Sequence, residues 1–549
     1  MLLDCRASEP EIAAHSLWGV RSVRNHISAM FTRINTPHTG QELQGTLNGI
    51  ALSMGAKPLP GKMTLHGAIA RYTDPTWWRR NLRVQLLREN EGYEHAAGHV
   101  RRRQQCYVSN YAVKVKRVRA KASREVLERL EVVNEVGEAF NLAEVADGSV
   151  SNPALRRAEL MVRCRGFEET AELMGHTALF LTITCPSRFH RFSKSGKTNP
   201  KWQGETPKDA QNYLCGIWKK IRAAWGNRGF FPYGFRVCEP HHDGCPHWHI
   251  LLFFPADQAG WFVPQRFQAG RRDYGAGAVG IAGRYAMQDS PNEAGAAKHR
   301  FTVEVIEPER GSATGYIAKY ICKNIDGMKE DGEAVGLDFA SGTPAEEAAK
   351  RVRTWASTWG VRQFQPIGGP SVTVWREIRR LSNQIEEPLQ TRLFEGAREA
   401  ADSANWMAFW LIQGGPGARK KDLKLKPLYT EEEGGKYGDS IKRVTGIQGE
   451  GEELTTRLHT WTVQRQGLAA VDDIEADRKH MRELLRKAFG VNSAYEFERI
   501  GEAERTWTGV NNCTDSPEAD ESGADLAGFE AYMASMNRGD SPQPAPLRH

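Results

Sequence analysis

Glu239-Pro240-His241-His242-Asp243-Gly244-Cys245-Pro246-His247-Trp248-His249-Ile250-Leu251-Leu252-Phe253-Phe254 carries a fold signal and a chemical one together. Asp243-Gly244 is a turn-forming pair, so Phe230 to Val237 before it and Pro246 to Phe254 after it are predicted as adjacent antiparallel strands. Side chains alternate along a strand, which sets His247 and His249 on one face and sends Trp248 into the opposite layer. Two imidazoles so placed can meet a single cation. Glu239 ends the preceding strand, where the hairpin returns its carboxylate toward them, and His241 is a reserve ligand. A His, His, Glu set mixes nitrogen and oxygen donors and leaves positions open for a phosphate oxygen, which suits Mg²⁺ or Mn²⁺. Zinc competes, because Cys245 also stands two residues before His247 and period two would put its thiolate on the same face.

Outward from this hairpin, Ala178 to Cys185 is a short apolar, β-branched run stopped by Pro186, the mark of a buried strand. Pro207 to Trp225 spaces Ala210, Tyr213, Leu214, Ile217, Trp218, Ile221 and Trp225 as one face of a helix. Phe301 to Ile306 is predicted as a further strand and Ser312 to Asn324 as a helix. Such alternation predicts an α+β domain built on an antiparallel sheet covered on one face. Four regions follow: a helical, basic 1–153; a catalytic 154–385; an extension over 386–470; and 471–549, with a charged helix at Asp473 to Phe489 and an acidic tail expected to be disordered.

On the predicted second helix, Tyr316 and Tyr320 stand four residues apart, hence on one face about 6 Å from each other. Lys319 lies one step away, able to balance charge on a phenolate or a phosphate. A phenolic oxygen can attack a phosphodiester to give a phosphotyrosine, and two such oxygens permit two successive transfers. The ordinary alternative is an aromatic helix face packed into a core; the histidine pair upstream tips the reading toward chemistry.

The 74 Lys and Arg against 67 Asp and Glu leave a formal net charge of +7, too mild to identify a polyanionic partner. Distribution says more. Arg101, Arg102, Arg103, Lys114, Lys116 and Arg117 fall in a stretch without an acidic residue and with Tyr107 and Tyr111 among them, a candidate phosphate-backbone contact. Trp77-Trp78 upstream suits either base stacking or a core. Glu125 to Glu144 is expected to be an exposed helix. Nine cysteines without a CxxC pair point to a reducing compartment, and apolar runs too short for a bilayer point to a cytoplasmic protein without membrane contact. Ser195-Gly196-Lys197-Thr198 ends like a phosphate-binding loop, but Arg191 replaces its required glycine. No nucleotide cofactor is expected, and strand unwinding would need a partner helicase.

Phe180-Leu181-Thr182-Ile183-Thr184-Cys185-Pro186-Ser187, the Glu239 to His249 block and the Tyr316 to Tyr320 block together resemble, in order, the three motifs of the HUH (His-hydrophobe-His) replication endonucleases. More narrowly, the chain from about Tyr72 to about Gly446 is similar to the bacteriophage replication gene A protein family, rolling-circle initiators with two tyrosines. Trp359 to Phe364, continuing through Gly368-Gly369-Pro370 to Trp375, shares that likeness. The resemblance implies a five-stranded antiparallel HUH palm with the histidines at its centre and the tyrosine helix beside it. It implies His247, His249 and Glu239 as metal ligands and Tyr316 and Tyr320 as nucleophiles. It further implies single-stranded or origin DNA as the partner, strand-specific nicking at a double-strand origin in the host cytoplasm, a 5′-phosphotyrosine, extension of the free 3′ end by host polymerase, and a second transfer that recircularises the displaced strand. Cys245 departs from the small polar residue expected before the proline. Two rival readings stay open: a DNA-binding protein with structural zinc at Cys245, His247 and His249, and a metal-dependent phosphohydrolase that uses water.

Overall fold

The computed structural model describes residues 7–465, apart from 8, 33–39, 62, 194, 256–257, 259–276, 330–332, 335, 382–390 and 433–434. The helix predicted at Asp473 to Phe489 and the acidic tail lie outside the described residues. Fifteen α-helices are present among the described residues. The first seven are α1 (Glu9–Thr32), α2 (Gly40–Ser53), α3 (Leu65–Tyr72), α4 (Pro75–Ala96), α5 (Asn110–Glu128), α6 (Leu142–Asp147) and α7 (Pro153–Met174). Then come α8 (Pro207–Gly226), α9 (Ala278–Ala286), α10 (Ala296–His299), α11 (Ala313–Ile325), α12 (Ala345–Trp359), α13 (Val372–Leu381), α14 (Arg392–Asp402) and α15 (Trp406–Ile412).

Three antiparallel sheets accompany them. β1 (Leu130–Asn134) lies between β2 (Ala139–Asn141) and β11 (Trp461–Arg465). β9 (Ile441–Gly449) lies between β8 (Lys426–Glu432) and β10 (Glu452–Thr455). The central sheet is formed by β3 (Thr177–Thr184), β4 (Tyr233–Pro240), β5 (Pro246–Phe254), β6 (Phe301–Ile306) and β7 (Phe364–Ile367), in the order β6-β3-β5-β4-β7. The mixed α and β architecture with a five-stranded antiparallel sheet is as predicted, and the histidine strand β5 occupies its middle.

The sheet is covered on both faces, not one. Trp248, Ile250, Leu252 and Phe254 of β5 pack with Leu214, Ile217 and Ile221 of α8, Val279 and Ile281 of α9, and Val352 and Trp355 of α12. Leu251 and Phe253 on the other side pack with Phe167 of α7, Ile317 and Ile321 of α11, and Trp375 of α13. The unbroken apolar run Ile250 to Phe254 is the pattern of a strand buried on both sides. Helix α8 presents the predicted stripe and starts at a capping box in which Thr206 and Asp209 satisfy each other's backbone N–H groups.

Residues Glu125 to Glu144 are not one exposed helix. Helix α5 stops at Glu128, and β-branched Val132 and Val133 join a strand whose outer partner is β11. Asn134 closes the turn to β2, its side-chain oxygen accepting from Val136 N–H and Glu138 N–H. Trp78 is fully buried and donates its indole N–H to Tyr72 O at 2.8 Å, with Trp77 against it edge to face, so the tryptophan pair is core.

Gly234 of β4, at φ +149°, lets β5 approach closely: a Cβ there would stand 2.0 Å from Leu251 O. Gly234→Ala must therefore push apart the two strands that carry Glu239 and the histidines. We expect a loss of about 2 kcal/mol or more in urea unfolding; an unchanged midpoint would show that the strands yield freely.

Candidate active site

The β4–β5 ladder places Glu239 directly opposite His247, and the β3–β5 ladder places Thr182 opposite His249. One face of three strands thus gathers a carboxylate, two imidazoles and a hydroxyl. The His247 and His249 Nε2 atoms lie 3.0 Å apart, with Glu239 Oε2 at 3.8 and 3.6 Å from them. Neighbouring ligands around a cation held at ~2.1 Å stand roughly 3 Å apart, so this donor triangle has the size a small divalent ion requires. Its nitrogen and oxygen composition fits as well. Among the described residues, these three form the group of metal-type ligands with all donor atoms within 4.8 Å.

Neighbours orient each member. Thr182 Oγ1 hydrogen-bonds His249 Nδ1 at 3.1 Å, which leaves Nε2 to face the triangle. Asn324 Nδ2 donates to Glu239 Oε1 and, at 2.6 Å, to Tyr320 O, so one amide links the carboxylate to the tyrosine helix. Burial by itself would raise the Glu239 carboxyl, but the Lys323 ammonium, His249 and Asn324 together hold it down to about 2. Burial, with His249 and Lys323 nearby, drives the His247 imidazole well below its ordinary value, so its ring is neutral near pH 7. An ionised carboxylate beside a neutral imidazole is the protonation state that ligation needs. Removing the amide should loosen this arrangement: for Asn324→Ala we expect Mn²⁺ affinity, followed by electron paramagnetic resonance, to fall about tenfold. Affinity within twofold of the unsubstituted protein would remove Asn324 from this role.

Helix α11 brings the tyrosines to the same face. Ala313, Ile317, Ile321 and Ile325 are buried, and the adjoining stripe carries Tyr316, Tyr320 and Asn324. Ser312 Oγ accepts from Gly315 N–H, and Glu168 of α7 accepts from the N–H groups of Ala313 and Thr314. At the other end Arg157 pairs with Asp326, so α7 holds the helix at both ends. The Tyr320 ring centroid lies 4.2 Å from that of His249 and 6.5 Å from that of Tyr316. Phe180 packs among them, 4.6 Å from Tyr316, 5.4 Å from Tyr320 and 5.5 Å from His249.

The two phenols differ in partner. Tyr316 donates its hydroxyl to Glu304 of β6, which faces the site because Glu304 pairs with Phe180 across the sheet. Burial and then this carboxylate push Tyr316 up to about 12, and burial with Glu239 nearby pushes Tyr320 higher still. Lys319 is exposed, with Nζ 4.4 Å from the Tyr316 ring centroid and 4.8 Å from that of Tyr320, within reach of either phenolate.

Cys245 does not join the imidazoles. It precedes the first residue of β5, inside the turn, so strand alternation does not govern it, and its thiol lies in the opposite layer with Cys185, Cys238 and Trp248. His241, the reserve ligand, stacks on His247 with ring centroids 4.0 Å apart. Of the candidate DNA contacts, Lys114, Lys116 and Arg117 are exposed on α5, which packs on α12, α6 and β1. Arg101, Arg102 and Arg103 lie in the connection between α4 and α5; Arg102 is near enough to His242 for its charge to depress that imidazole beyond the effect of burial. The Ser195 to Thr198 segment is a turn closed by a bridge between Phe192 and Thr198.

Glu304, Thr182, Asn324 and Lys323 were not singled out from sequence. Glu304 carried a readable signal: it is an acid on the polar side of an alternating strand, Thr302-Val303-Glu304-Val305.

A family model described as bacteriophage replication gene A protein matches residues 26–328. It begins well before Tyr72 and ends short of the Trp359 to Trp375 segment. The replication gene A protein of Escherichia phage 186 is 39% identical over 401 residues, 72% of this chain and 56% of that protein. That of Escherichia phage P2 is 35% identical over 434 residues, 75% of this chain and 54% of that protein. A probable replication endonuclease from a prophage-like region of Salmonella paratyphi A is 31% identical over 482 residues, 86% of this chain and 55% of that protein. The chain thus spans about half the length of these curated relatives. No solved structure matches it.

Proposed function

The chain belongs to the bacteriophage replication gene A protein family, and from that premise we propose that it is a strand-nicking endonuclease that starts rolling-circle replication of a viral DNA. The observation that carries this reading is the packing of Tyr320 against His249, 4.2 Å between ring centroids, beside a largely buried His, His, Glu triangle. The five-stranded sheet is then the HUH palm. The Salmonella relative's name, a probable replication endonuclease, supports the same class of activity.

In this reading His247, His249 and Glu239 hold a Mg²⁺ or Mn²⁺ ion, which supplies Lewis acidity toward a phosphate oxygen. The chain's own residues do the rest. Thr182 and Asn324 fix the ligands, and Lys319 steadies negative charge on the phenol that attacks. The attacking tyrosine oxygen forms a bond to phosphorus as the P–O3′ bond breaks; the phenol loses its proton, and the departing 3′ oxygen gains one. Glu304 is placed to take the proton of Tyr316. Because neither phenol ionises by itself near neutral pH, proton loss accompanies attack rather than preceding it. The second tyrosine then cleaves the regenerated junction, and the 3′ hydroxyl displaces the first. Host helicase and host polymerase unwind and extend the strand in the host cytoplasm. No helix among the described residues is long and apolar enough to cross a membrane.

The test is a single-stranded phage DNA labelled on the 3′ side of the nick, incubated with the protein and Mg²⁺ and then denatured. Label on the protein band is the expected result. Cut DNA with unlabelled protein would replace this mechanism by water-mediated hydrolysis.

A further inference from the structure

Resting on the nickase reading and deepening it, we propose that Phe339 and Arg102 form a base-stacking platform for the single-stranded DNA that flanks the scissile phosphate. The segment Gly336 to Ala345 is an ordered loop built around one inward carboxylate. Asp338, only 5% exposed, accepts from Tyr107 Oη at 2.6 Å, from Ser341 N–H at 2.8 Å and from Ser341 Oγ at 2.7 Å. Backbone bonds from Asp338 N–H to Thr343 O and from Ala345 N–H to Gly336 O close the loop. The residues on either side point outward: Leu337 is 75% exposed and Phe339 80%, the highest values for large apolar side chains among the described residues. A loop that buries its charge and displays its apolar side chains inverts the usual arrangement, and a rigid one presents them to something.

Position and charge say to what. Lys323 Nζ lies 3.3 Å from Asp338 Oδ1, and the same ammonium helps to hold down the Glu239 carboxyl, so the loop is braced against the metal-ligand set. From the other side, the Arg102 guanidinium carbon stands 4.9 Å from the Phe339 ring centroid, and the charge of Arg102 acts on His242, the neighbour of the histidine stacked on His247. Tyr107 N–H, donating to His242 O at 3.2 Å, ties the arginine connection to the same turn. Arg101 and Arg103 flank Arg102, and Arg101 lies over Phe192, 5.7 Å from its centroid. Glu333 and Glu346, on the stretch around the loop, are each paired with a lysine four residues away. An exposed aromatic face under a guanidinium, at the rim of a phosphodiester-cleaving site, fits a nucleobase: stacking is tolerant of sequence, and the arginine meets the neighbouring phosphate.

The measurement is binding of fluorescein-labelled oligo(dT) by anisotropy, in the full chain without added metal, so that no cleavage intervenes. Phe339→Ala should weaken binding roughly tenfold. Phe339→Trp should stay within about twofold of the unsubstituted protein, whereas Phe339→Leu, apolar but without a ring, should be as weak as Ala. Because Phe339 is exposed, all three should fold. Equal binding by Phe339→Ala, or recovery by Leu, overturns the platform. The nickase reading is judged separately by the covalent adduct: if the unsubstituted protein forms none while oligo(dT) binding still depends on the ring, nicking fails and the platform stands. If the adduct forms but binding ignores the ring, the platform fails and nicking stands.

Discussion

Replacing Tyr316 and Tyr320 together by Phe is expected to reduce the denaturant-resistant DNA adduct by more than about a thousandfold, as removal of a covalent nucleophile does elsewhere. The substitution deletes two oxygens and little else. Both rings stay available to pack on Phe180, and the His, His, Glu triangle keeps its own supports in Thr182 and Asn324. Oligonucleotide binding should therefore change less than about threefold, since no phosphate contact of ordinary strength is removed. The single variants should differ. Tyr320 packs on a candidate ligand, while the Tyr316 hydroxyl is engaged with Glu304 on the far strand of the sheet. Tyr320→Phe should thus cost most of the initial nicking, with Tyr316→Phe retaining a substantial first cut and losing the second transfer. Both events can be read from one experiment: adduct on an origin oligonucleotide reports the first, and the rejoined circle reports the second. Adduct persisting in the double variant would remove these residues from the chemistry.

Where an element announces itself locally, the sequence could be read. Strands β4 and β5 were legible because Asp243-Gly244 marks the turn between them, but their register was not: the loop is His242-Asp243-Gly244, closed by His241 N–H donating to Cys245 O, and it puts Glu239 opposite His247 where a two-residue turn would have put Trp248 there. Helices α8 and α11 were legible because their apolar stripes start at Thr206 and Ser312, both caps. What escaped is non-local. β1 finds its partner in β11 across the whole sequence of the central sheet, and no pattern within Leu130 to Asn134 announces Trp461 to Arg465. The second covered face needs α7, α13 and α15, whose aromatic contacts to the sheet come from both sides of it in sequence. Thr182 and Glu304 are ordinary residues on strands; only the order β6-β3-β5 brings them to the imidazoles and phenols. Cys245 shows the converse error. Period two holds only within the strand; one residue before it, in the turn, alternation lapses and the soft thiolate lies on the face away from the imidazoles.

His247→Ala and Glu239→Gln should each lower nicking by about a hundredfold or more at saturating DNA, the scale on which losing an electrostatic contact to a developing charge is felt. His247 is the sharper probe of ligation. Its side chain is 12% exposed, so truncation leaves a partial gap, and it lies at the start of β5 on the face opposite Trp248. Stability should fall by about 1–3 kcal/mol, not collapse, and melting curves recorded beside the nicking assay separate the two effects. Glu239→Gln changes no volume, but it removes the negative charge that Lys323 now faces and leaves that ammonium with Asp338 as partner. The pH dependence sharpens the test. Since burial and neighbouring positive charge keep His247 neutral well below pH 6.5, it has no proton to displace at pH 6, and its contribution to Mn²⁺ binding should be flat from pH 8 to pH 6. A His247→Ala protein that nicks at the unsubstituted rate with excess Mg²⁺ or Mn²⁺ would show that the triangle holds no ion the reaction needs, and Tyr320 would then lie beside His249 only as a packed aromatic ring.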